Sequence, residues 1–481
     1  MERRNFIKIL GSGSFYLAGG RLIQSCNGSA KQKPNIILCM ADDQGWGDMG
    51  YYDHPHLKTP NCDAMAASAL RFDRFYAAAP VSTPTRGSVL TGRHPNRFGA
   101  FKWGHTLRPQ EITIAEALKT AGYVTGHFGK WHLGSVLKGS PVNPGASGFD
   151  EWLSAPNFFD NNPILSREGK AVQTEGESSK VTVDAAIDFI REHTDSSDPF
   201  LAVVWFGSPH TPHKATEINR KPYAQLSEDK QDFYGEITGM DRAVGKLRRE
   251  LRSLGIEKNT LLWYCSDNGG LDPNTSGGRG KKGEIYEGGL RVPAILEWPD
   301  HISQSRVSDV PCNTSDIYPT ILDLVGIRMA DQPPLDGISL VPIIDQKMNS
   351  RPSPIGFWEH PTRGRGIPSA EWMSQLLEAQ KSGKELPEKQ ARLRRDAGKI
   401  TRQYPLDSFP GHAAWLDWPW KLHRIQPEEN GLTLELYDLS EDPDEKHNIA
   451  DDNPDQVRNM KQQLETWLKS VVRSLNGEDY E

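Results

Sequence analysis

The stretch PNIILCMADDQGWGD, residues 34–48, decides the expected fold because an apolar run in it stops abruptly at polar side chains. The run from Pro34 to Met40 is continuous, which is typical of a strand buried on both faces of a parallel sheet. Asp42 and Asp43 follow almost directly. The stretch therefore predicts a central strand whose carboxyl end presents two carboxylates.

Three further segments repeat this organisation. They are YVTGHF at 123–128, followed by Lys130 and His132, FLAVVWF at 200–206, followed by His210, and TLLWYC at 260–265, followed by Asp267 and Asn268. Helical patterns lie between these runs, so the chain predicts an α/β fold built from right-handed βαβ units, with helices on both faces of the sheet. Ligands of such sheets bind beyond the carboxyl ends of the strands. We therefore expect the polar groups of all four segments to share one site.

Each polar group also has a simpler structural explanation. Asp42 and Asp43 could form a turn and a helix cap, and the pair Asp267 and Asn268 could form only a turn before two glycines. His210, between prolines, could be an ordinary loop histidine. The recurrence of such groups after four equivalent runs favours a shared functional site.

Length, charge and cysteine content limit the classes of protein to consider. The 481 residues suggest two or three domains, and the net charge of −7 argues against sequence-independent binding of nucleic acid, which needs a basic face. The five cysteines form no CxxC pair and are too few for a disulfide framework. The composition is that of an ordinary globular protein.

The first 30 residues resemble a targeting segment and are left out of the fold prediction. Arg3 and Arg4 precede a short, weakly apolar run, which indicates a twin-arginine export signal, and LIQSC resembles a lipoprotein cleavage site with Cys26 as a candidate lipid anchor. The alternative is a disordered basic N-terminus. The predicted location is the bacterial periplasm or cell envelope.

The candidate metal ligands all offer oxygen. Asp42, Asp43, Asp267 and Asn268 supply carboxylate and amide oxygens, which suit calcium or magnesium, whereas zinc favours imidazole or thiolate. Two adjacent carboxylates that both point into one site also require a cation electrostatically. We favour calcium, as one ion.

The ordered motifs resemble those of the formylglycine-dependent sulfatases, within the alkaline phosphatase superfamily. Besides the opening stretch, the motifs are STPTRGSVLTGR (82–93), GKWHLG (129–134), SPHTPH (208–213), SDNGG (266–270) and GKKGEIYEGGLRVP (280–293). The resemblance implies an alkaline-phosphatase-like fold, in which a mixed, mostly parallel sheet lies between helices and a smaller C-terminal α+β domain carries an antiparallel sheet. We expect a catalytic domain at 31–368 and the smaller domain at 369–481.

The resemblance also assigns roles to individual residues. It implies that a dedicated maturase oxidises Ser82 to formylglycine (3-oxoalanine); most relatives carry cysteine there, so this chain is a serine-type variant. It implies that Asp42, Asp43, Asp267 and Asn268 bind calcium, with the modified Ser82 facing the same ion. It implies anion-binding or catalytic roles for Arg86, Lys130, His132, His210 and Lys282, where Lys282 is chosen over Lys281 by its spacing from GEIYEGG.

The mechanism implied by the resemblance begins with a hydrated aldehyde at Ser82. One hydroxyl attacks sulfur, His210 or Lys282 protonates the leaving alcohol, and His132 takes the proton of the second hydroxyl so that sulfate can leave. A helix from about Pro84 to Leu90 adds a positive N-terminal dipole at the sulfate. An unmodified serine has no second hydroxyl whose deprotonation could expel the sulfate, so the unmodified protein is expected to be nearly inactive.

The C-terminal region offers weaker signals. The charged segment 369–402 predicts a helix within an insertion, which is either solvated or caps the substrate. Candidate sugar contacts, for which structural roles are an equal alternative, are His360, Arg363, Arg365, His412 and Trp415.

The sequence thus predicts a sulfatase that acts on a sulfate monoester of a sulfated carbohydrate. One alternative is a phosphomonoesterase or phosphodiesterase of the same superfamily, which would hold two zinc ions and typically has an Asp-His pair where this chain has Asp267 and Asn268. Another is a pseudoenzyme that binds sulfated glycans while Ser82 stays unmodified.

Overall fold

A computed structural model describes residues 33–194, 196, 198–427 and 431–480. The predicted export signal at 1–30 and the candidate lipid anchor Cys26 lie outside the described residues. Within the described part of the chain, every helix is too short or too polar to cross a lipid bilayer. Residues from Lys33 onward group into one compact unit.

The described chain contains strands in three sheets. The strands are β1 Asn35–Ala41, β2 Leu70–Phe72, β3 Phe75–Tyr76, β4 Val124–Lys130, β5 Glu151–Ala155, β6 Ile164–Arg167, β7 Lys170–Gln173, β8 Phe200–Trp205, β9 Thr260–Ser266, β10 Ala294–Glu297, β11 Arg306–Ser308, β12 Cys312–Asn313, β13 Ile355–Glu359, β14 Gly411–Asp417, β15 Trp420–Gln426 and β16 Thr433–Asp438.

Helices alternate with these strands along most of the chain. The α-helices are α1 Pro60–Ala66, α2 Ser82–Thr91, α3 Ile114–Lys119, α4 Ser178–Thr194, α5 Glu217–Arg220, α6 Glu228–Ser253, α7 Glu287–Leu290, α8 Ile317–Val325, α9 Val341–Ile344, α10 Ser369–Lys381, α11 Glu388–Ala391 and α12 Pro454–Asn476. Single 3-10 turns occur at Gly50–Tyr52, Pro95–Phe98, Gly145–Ser147, Lys221–Tyr223, Thr314–Asp316 and Glu478–Tyr480.

The main sheet has ten strands in the order β11-β2-β10-β9-β1-β8-β4-β5-β6-β7. The five central strands from β9 to β5 are mutually parallel, while β10, β6 and β7 pair in antiparallel fashion toward the edges. The four runs singled out in the sequence are β9, β1, β8 and β4, which lie side by side. Their carboxyl ends therefore share one edge of the sheet, as the sequence predicted.

Helices cover both faces of the sheet because its central strands are apolar on both sides. In β1, Leu38 faces a core that includes Leu90 of α2. The neighbouring Cys39 faces the opposite core, which includes Ile187 of α4 and Val244 of α6. Each such aliphatic side chain contributes roughly 1.5 to 3 kcal/mol when fully buried. The expected mixed, mostly parallel sheet between helices is confirmed.

A smaller antiparallel sheet has the order β13-β14-β15-β16, and α12 packs against one of its faces. Leu464 and Leu468 of α12 share a buried cluster with Leu422 of β15. The expected antiparallel C-terminal sheet and the final helix are both present. The first strand, β13, precedes residue 369, and the domain division at that residue stays a prediction.

The charged segment that begins at residue 369 forms α10, which packs against the edge of the main sheet. Met373 is buried, and Leu376 lies against the main core. Gln380 Nε2 donates to Ala171 O of β7 (3.2 Å), and Ala171 N donates to Gln380 Oε1 (2.7 Å). This face of the segment is therefore packed rather than solvated.

Candidate active site

The polar groups predicted at the strand ends do meet at one edge of the main sheet. Asp42 and Asp43 follow β1, Lys130 ends β4, and Asp267 and Asn268 follow β9. The site is deeply buried: relative exposure is 0% for Asp42, Asp43, Arg86, Lys130, Asp267 and Asn268, and 3% for Ser82 and His132. Charged groups buried to this extent require partners.

Ser82 is the first residue of α2, two residues before the helix start that the sequence predicted. Pro84 fits the first turn because the amide groups there have no partner within the helix. Gly92 follows the last turn with φ 71°, a left-handed conformation that glycine adopts without strain. The helix therefore directs its N-terminus, with a partial positive charge, at the site.

Ser82 lies among a lysine, a carboxylate and an amide. Its Oγ donates to Asp42 Oδ1 at 3.2 Å and lies 3.4 Å from Asn268 Oδ1. Lys130 Nζ is 3.3 Å from the same Oγ and donates to both oxygens of Asp42, at 2.8 and 2.7 Å. The Ser82 hydroxyl is thus in direct contact with the charged groups of the site.

A second lysine engages the neighbouring carboxylate. Lys282 Nζ donates to Asp43 Oδ2 at 2.6 Å, and Asn268 Nδ2 donates to Asp43 Oδ1 at 2.9 Å. Lys281 is exposed, so the structure brings Lys282 to the site. The backbone of Asp43 is left-handed, with φ 74°.

Arg86 pairs with the third carboxylate. Its Nε and Nη2 donate to Asp267 Oδ2 at 3.1 and 2.7 Å, and its guanidinium carbon lies 5.1 Å from the centre of the Trp205 ring. The other oxygen of Asp267 accepts from Asp43 N at 3.1 Å. Both oxygens of Asp267 are therefore engaged within the protein.

The two predicted histidines differ in their contacts. Both ring nitrogens of His132 are buried and have no hydrogen-bond partner among the described residues. His210 stacks on Phe158, with ring centroids 4.1 Å apart, and its Nε2 is 3.8 Å from Asp43 Oδ2. His132 is thus held without a partner, whereas His210 lies at the rim of the carboxylate cluster.

Burial and neighbouring charges shift the titration of the site. Burial, reinforced by Lys130, holds the pKa of His132 well below its usual range, so its ring is neutral. Burial opposes ionisation of Asp42, but Lys130, together with His210 and Arg86, lowers the pKa of that carboxyl. Burial opposes the charge of Lys282 as well, yet the adjacent Asp43 raises the pKa of that amine.

The donor set suits a hard cation. Oxygens of Asp42 and Asn268 lie beside the Ser82 hydroxyl, and Asn268 Nδ2 also donates to Asp43. Ligand atoms of Asp42, Asp43 and His210 lie within 4.8 Å of one another. Such oxygen-rich sets with an amide fit Ca²⁺ or Mg²⁺. Within the described chain, His210 is the one histidine in this group, which fits poorly with a site for two zinc ions.

A cavity of about 490 Å³ opens above Ser82. Its lining includes the predicted residues Ser82, His132, His210 and Lys282, together with Val81, Trp103, Asn157, Phe158, Gly366, Ile367 and Pro368. This second group could not be predicted from the sequence, because its members lie in loops that share no motif. The stacking of Phe158 on His210 is visible only in three dimensions.

Three of the candidate sugar contacts have contacts within the protein. His360 stacks on Phe101 (4.6 Å between centroids). His412 is 2.8 Å from the ring nitrogen of His423, and Trp415 Nε1 donates to a glutamine of α12 at 3.0 Å. Arg365 differs, because it is exposed and precedes Gly366 at the cavity wall.

Much of this chain is similar in sequence to known proteins. A family model described as Sulfatase matches residues 34–327. N-acetylgalactosamine-6-sulfatase of Canis lupus familiaris is 33% identical over 370 residues, which cover 67% of this chain and 68% of that protein. The ulvan-active sulfatase of Formosa agariphila is 30% identical over 321 residues, which cover 62% of this chain and 63% of that protein.

A solved structure extends the similarity to the fold of nearly the whole chain. Ps i-CgsB in complex with k-i-k-neocarrahexaose aligns with a TM-score of 0.74 at 24% identity. The alignment covers 91% of this chain and 93% of that chain, so it includes the smaller antiparallel sheet as well as the main one.

Proposed function

Because the chain belongs to the sulfatase family, we propose that it hydrolyses a sulfate monoester carried by a sulfated carbohydrate. The chain is a sulfuric ester hydrolase by this membership, as the sequence predicted. The observation that carries the proposal is the position of Ser82, whose hydroxyl contacts Asp42 and Lys130 at the floor of the cavity. Two relatives named for N-acetylgalactosamine 6-sulfate and ulvan support a carbohydrate substrate.

The proposal includes a modified residue and one calcium ion. A maturase would oxidise Ser82 to formylglycine, and Asp42, Asp43, Asp267 and Asn268 would hold the ion. When present, the hydrated aldehyde supplies the nucleophilic hydroxyl and the cation supplies charge neutralisation. The oxygen-rich donor set supports this assignment.

Three cations of the protein counter the charge of the sulfate. Arg86, Lys130 and Lys282 surround the Ser82 end of the cavity, and the N-terminus of α2 adds its dipole. Preorganised charges in a buried site stabilise developing negative charge far more than water does. The sulfate group would therefore bind at this end, with the carbohydrate directed toward the cavity mouth.

Three groups are available for proton transfer, one as a base and two as candidate acids. His132 is neutral and unpartnered, so it can accept a proton from a group at Ser82. His210 and Lys282 line the same cavity, where either could donate a proton to the leaving alcohol. We propose His132 as the base and His210 or Lys282 as the acid.

Mass spectrometry of the Ser82 peptide tests the proposal. The protein is purified with and without coexpression of a serine-type maturase, and sulfate release and bound metal are measured on both samples. We expect the matured peptide to lose two hydrogen atoms and the matured protein to release sulfate and contain calcium. An unchanged peptide with phosphatase activity and bound zinc would instead indicate a phosphoesterase, and glycan binding without hydrolysis a pseudoenzyme.

We also propose that residues 1–30 direct export to the periplasm or cell envelope. The paired residues Arg3 and Arg4 and the candidate anchor Cys26 support this location. Fractionation of cells that express the full chain is the test, with Arg3→Lys/Arg4→Lys and Cys26→Ala as variants. Export that is unaffected by the arginine substitutions would contradict a twin-arginine route.

A further inference from the structure

A second cavity lies beside the active-site cavity and shares a wall with it. Gly366 lines the 490 Å³ cavity above Ser82 and also a neighbouring cavity of about 510 Å³. The neighbouring cavity is otherwise lined by Trp372 and by side chains between Lys389 and Asp396. A chain-like ligand bound above Ser82 could therefore continue into it past Gly366.

The shared wall is held in place by close packing. Arg365 N donates to Trp103 O at 2.8 Å, and a Cβ atom at Gly364 would meet the Trp103 ring at 2.1 Å. Further along the wall, Asn157 Nδ2 donates to Ile367 O at 3.3 Å. The wall is thus anchored to residues that line the active-site cavity.

The opposite side of the second cavity is also held in place by defined contacts. The Arg392 guanidinium stacks over Trp372 at 4.0 Å, and Ser140 Oγ donates to Leu393 O at 2.7 Å. Arg392 and Arg394 have φ values of 49° and 56°, a left-handed backbone that side-chain-bearing residues adopt infrequently. Such strained positions often occur where side chains are aimed at a ligand.

The cavity carries an excess of positive charge. Among the described residues, its lining includes Lys389, Arg392 and Arg394 beside one acidic residue, Asp396. In the described part of the chain, neither Arg392 nor Arg394 forms a salt bridge. Guanidinium groups in this arrangement favour carboxylate or sulfate oxygens, which accept paired hydrogen bonds from them.

Arg365 adds a positive charge next to the shared wall, because it directly precedes Gly366 in the chain and its charge acts on Arg394, while it lines a further cavity with Phe101 and Tyr404. It is exposed, and like Arg394 it has no salt bridge to any carboxylate of the described residues. Burial and then the nearby Arg365 lower the pKa of Arg394, and Asp396 offsets this only in part. The two arginines therefore repel each other, and a bound anion would relieve the repulsion.

We propose that the cavity between Gly366 and residues 389–396 binds a second anionic group, a sulfate or a carboxylate, of the glycan whose sulfate ester lies above Ser82. The inference rests on the proposed function, and it specifies the substrate class as a glycan of at least two sugar residues with at least two anionic groups. Arg365 and Arg394 are its specificity-determining residues.

Binding to the unmatured protein tests the proposal without requiring hydrolysis. Calorimetry measures the Kd of a chondroitin 6-sulfate hexasaccharide, and of its carboxyl-reduced derivative, for wild type and for Arg365→Gln/Arg394→Gln. Neither side chain makes a hydrogen bond within the described residues, so the substitutions should leave the fold intact, which thermal unfolding checks. Arg458→Gln on α12 is the control, since among the described residues this exposed arginine pairs only with Asp455 at the surface.

We expect the double variant to raise the Kd at least tenfold at low salt and the control to change it less than twofold. The difference should shrink as added salt screens the charges. An effect that persists after carboxyl reduction identifies sulfate as the second anion, and one that disappears identifies carboxylate. A double-variant Kd within twofold of wild type, or no binding of either hexasaccharide to wild type, would overturn the proposal.

The proposed function is judged separately. Sulfate release from p-nitrophenyl sulfate by the matured wild type tests the reaction at Ser82 with a substrate too small to occupy both cavities. Hydrolysis of this ester combined with an unchanged hexasaccharide Kd would refute only the second cavity. Loss of hexasaccharide affinity in the double variant, with no hydrolysis after maturation, would refute only the proposed reaction.

Discussion

Two buried clusters of charge in this protein resemble each other in composition but differ in how completely their groups are paired. The cluster around Ser82 contains Lys130 bonded to Asp42, and a second cluster contains Lys421 of β15, 2.9 Å from Glu287 of α7. Both lysines have 0% relative exposure. Each cluster also includes further carboxylates and a histidine.

In the Lys421 cluster, every charged group has a partner. Lys421 Nζ is 3.0 Å from Glu445 Oε1, which also lies 2.7 Å from His423 Nε2. The other ring nitrogen of His423 is 2.8 Å from His412, and Tyr76 OH donates to Glu287 Oε2 at 2.9 Å. This network joins the small sheet to α7, and its charged groups are all paired within the protein.

The cluster around Ser82 is instead incomplete. Both ring nitrogens of His132 lack a partner among the described residues, and the cavity above Ser82 gives a ligand access to the lysines. A buried polar group is costly unless it is paired, so complete networks serve structure and incomplete ones indicate a bound ligand or chemistry. Substitutions in each cluster can separate a structural role from a catalytic one, from the largest expected effect to the smallest.

Ser82→Ala should abolish the reaction, with sulfate release from p-nitrophenyl sulfate falling by at least about 10⁴-fold, because no nucleophile can then be formed. The measurement compares matured wild type and variant at equal concentration. Ser68→Ala, at an exposed serine, is the control. A Ser82→Ala protein that turns over as fast as wild type would refute the assigned role.

Lys421→Met should lower the free energy of unfolding by about 3 to 5 kcal/mol, because it leaves buried carboxylates without their cation. Denaturant unfolding measures the change. Lys347→Met is the matched control: this lysine pairs with Asp345 at 2.9 Å on the surface, so its loss should cost no more than about 1 kcal/mol. Equal losses in the two variants would contradict the view that the Lys421 network is structural.

His132→Asn should reduce activity while leaving the free energy of unfolding nearly unchanged. We expect kcat/KM for p-nitrophenyl sulfate to fall by about 10²-fold or more, because a proton acceptor is lost. The free energy of unfolding should change by less than about 1 kcal/mol, because no hydrogen bond is lost and asparagine tolerates the left-handed backbone, φ 56°. A large loss of stability with normal kcat/KM would indicate that His132 stabilises the fold and takes no part in the reaction.

Glu236 of α6 is a buried carboxyl that belongs to neither cluster. It accepts a hydrogen bond from Lys214 N (2.5 Å), and no buried cation of the described residues pairs with it. Burial, with acidic neighbours, raises its pKa to about 8. The folded state therefore holds a proton that the unfolded chain releases near its ordinary pKa, and the stability from this group is lost as pH rises toward 8. Unfolding of Glu236→Gln should be less pH-dependent between pH 5 and 8 than wild type, by about 1 kcal/mol or more; parallel pH profiles would contradict this.

Local patterns in the sequence were sufficient for the central fold. The four runs are short, apolar on both faces and flanked by turn residues, which is typical of strands covered on both sides. β9, β1, β8 and β4 could therefore be predicted, together with the edge where their polar groups meet. The motif order added the position of Ser82. The edge strands could not be predicted, because β6 and β7 are short and partly exposed.

The contacts within the site could be recognised only from the tertiary structure. Lys282 and Asp43 are 239 residues apart, and no periodicity relates them. Lys421 occurs in a stretch, PWKLHR, that reads as an ordinary amphipathic strand, yet its charge is fully buried. Pairing of this kind depends on which elements become neighbours.

By itself, the sequence determined the α/β class, the strand ends that carry chemistry and the residues that gather there, because apolar periodicity and turn residues act over a few neighbouring positions. Only the tertiary structure decided that His132 is left without a partner, that Lys421 is enclosed in a complete network, and that a cationic cavity adjoins the site at Gly366. These properties depend on distances between segments far apart in the chain. Strand order and loop packing set those distances, and no local pattern encodes them.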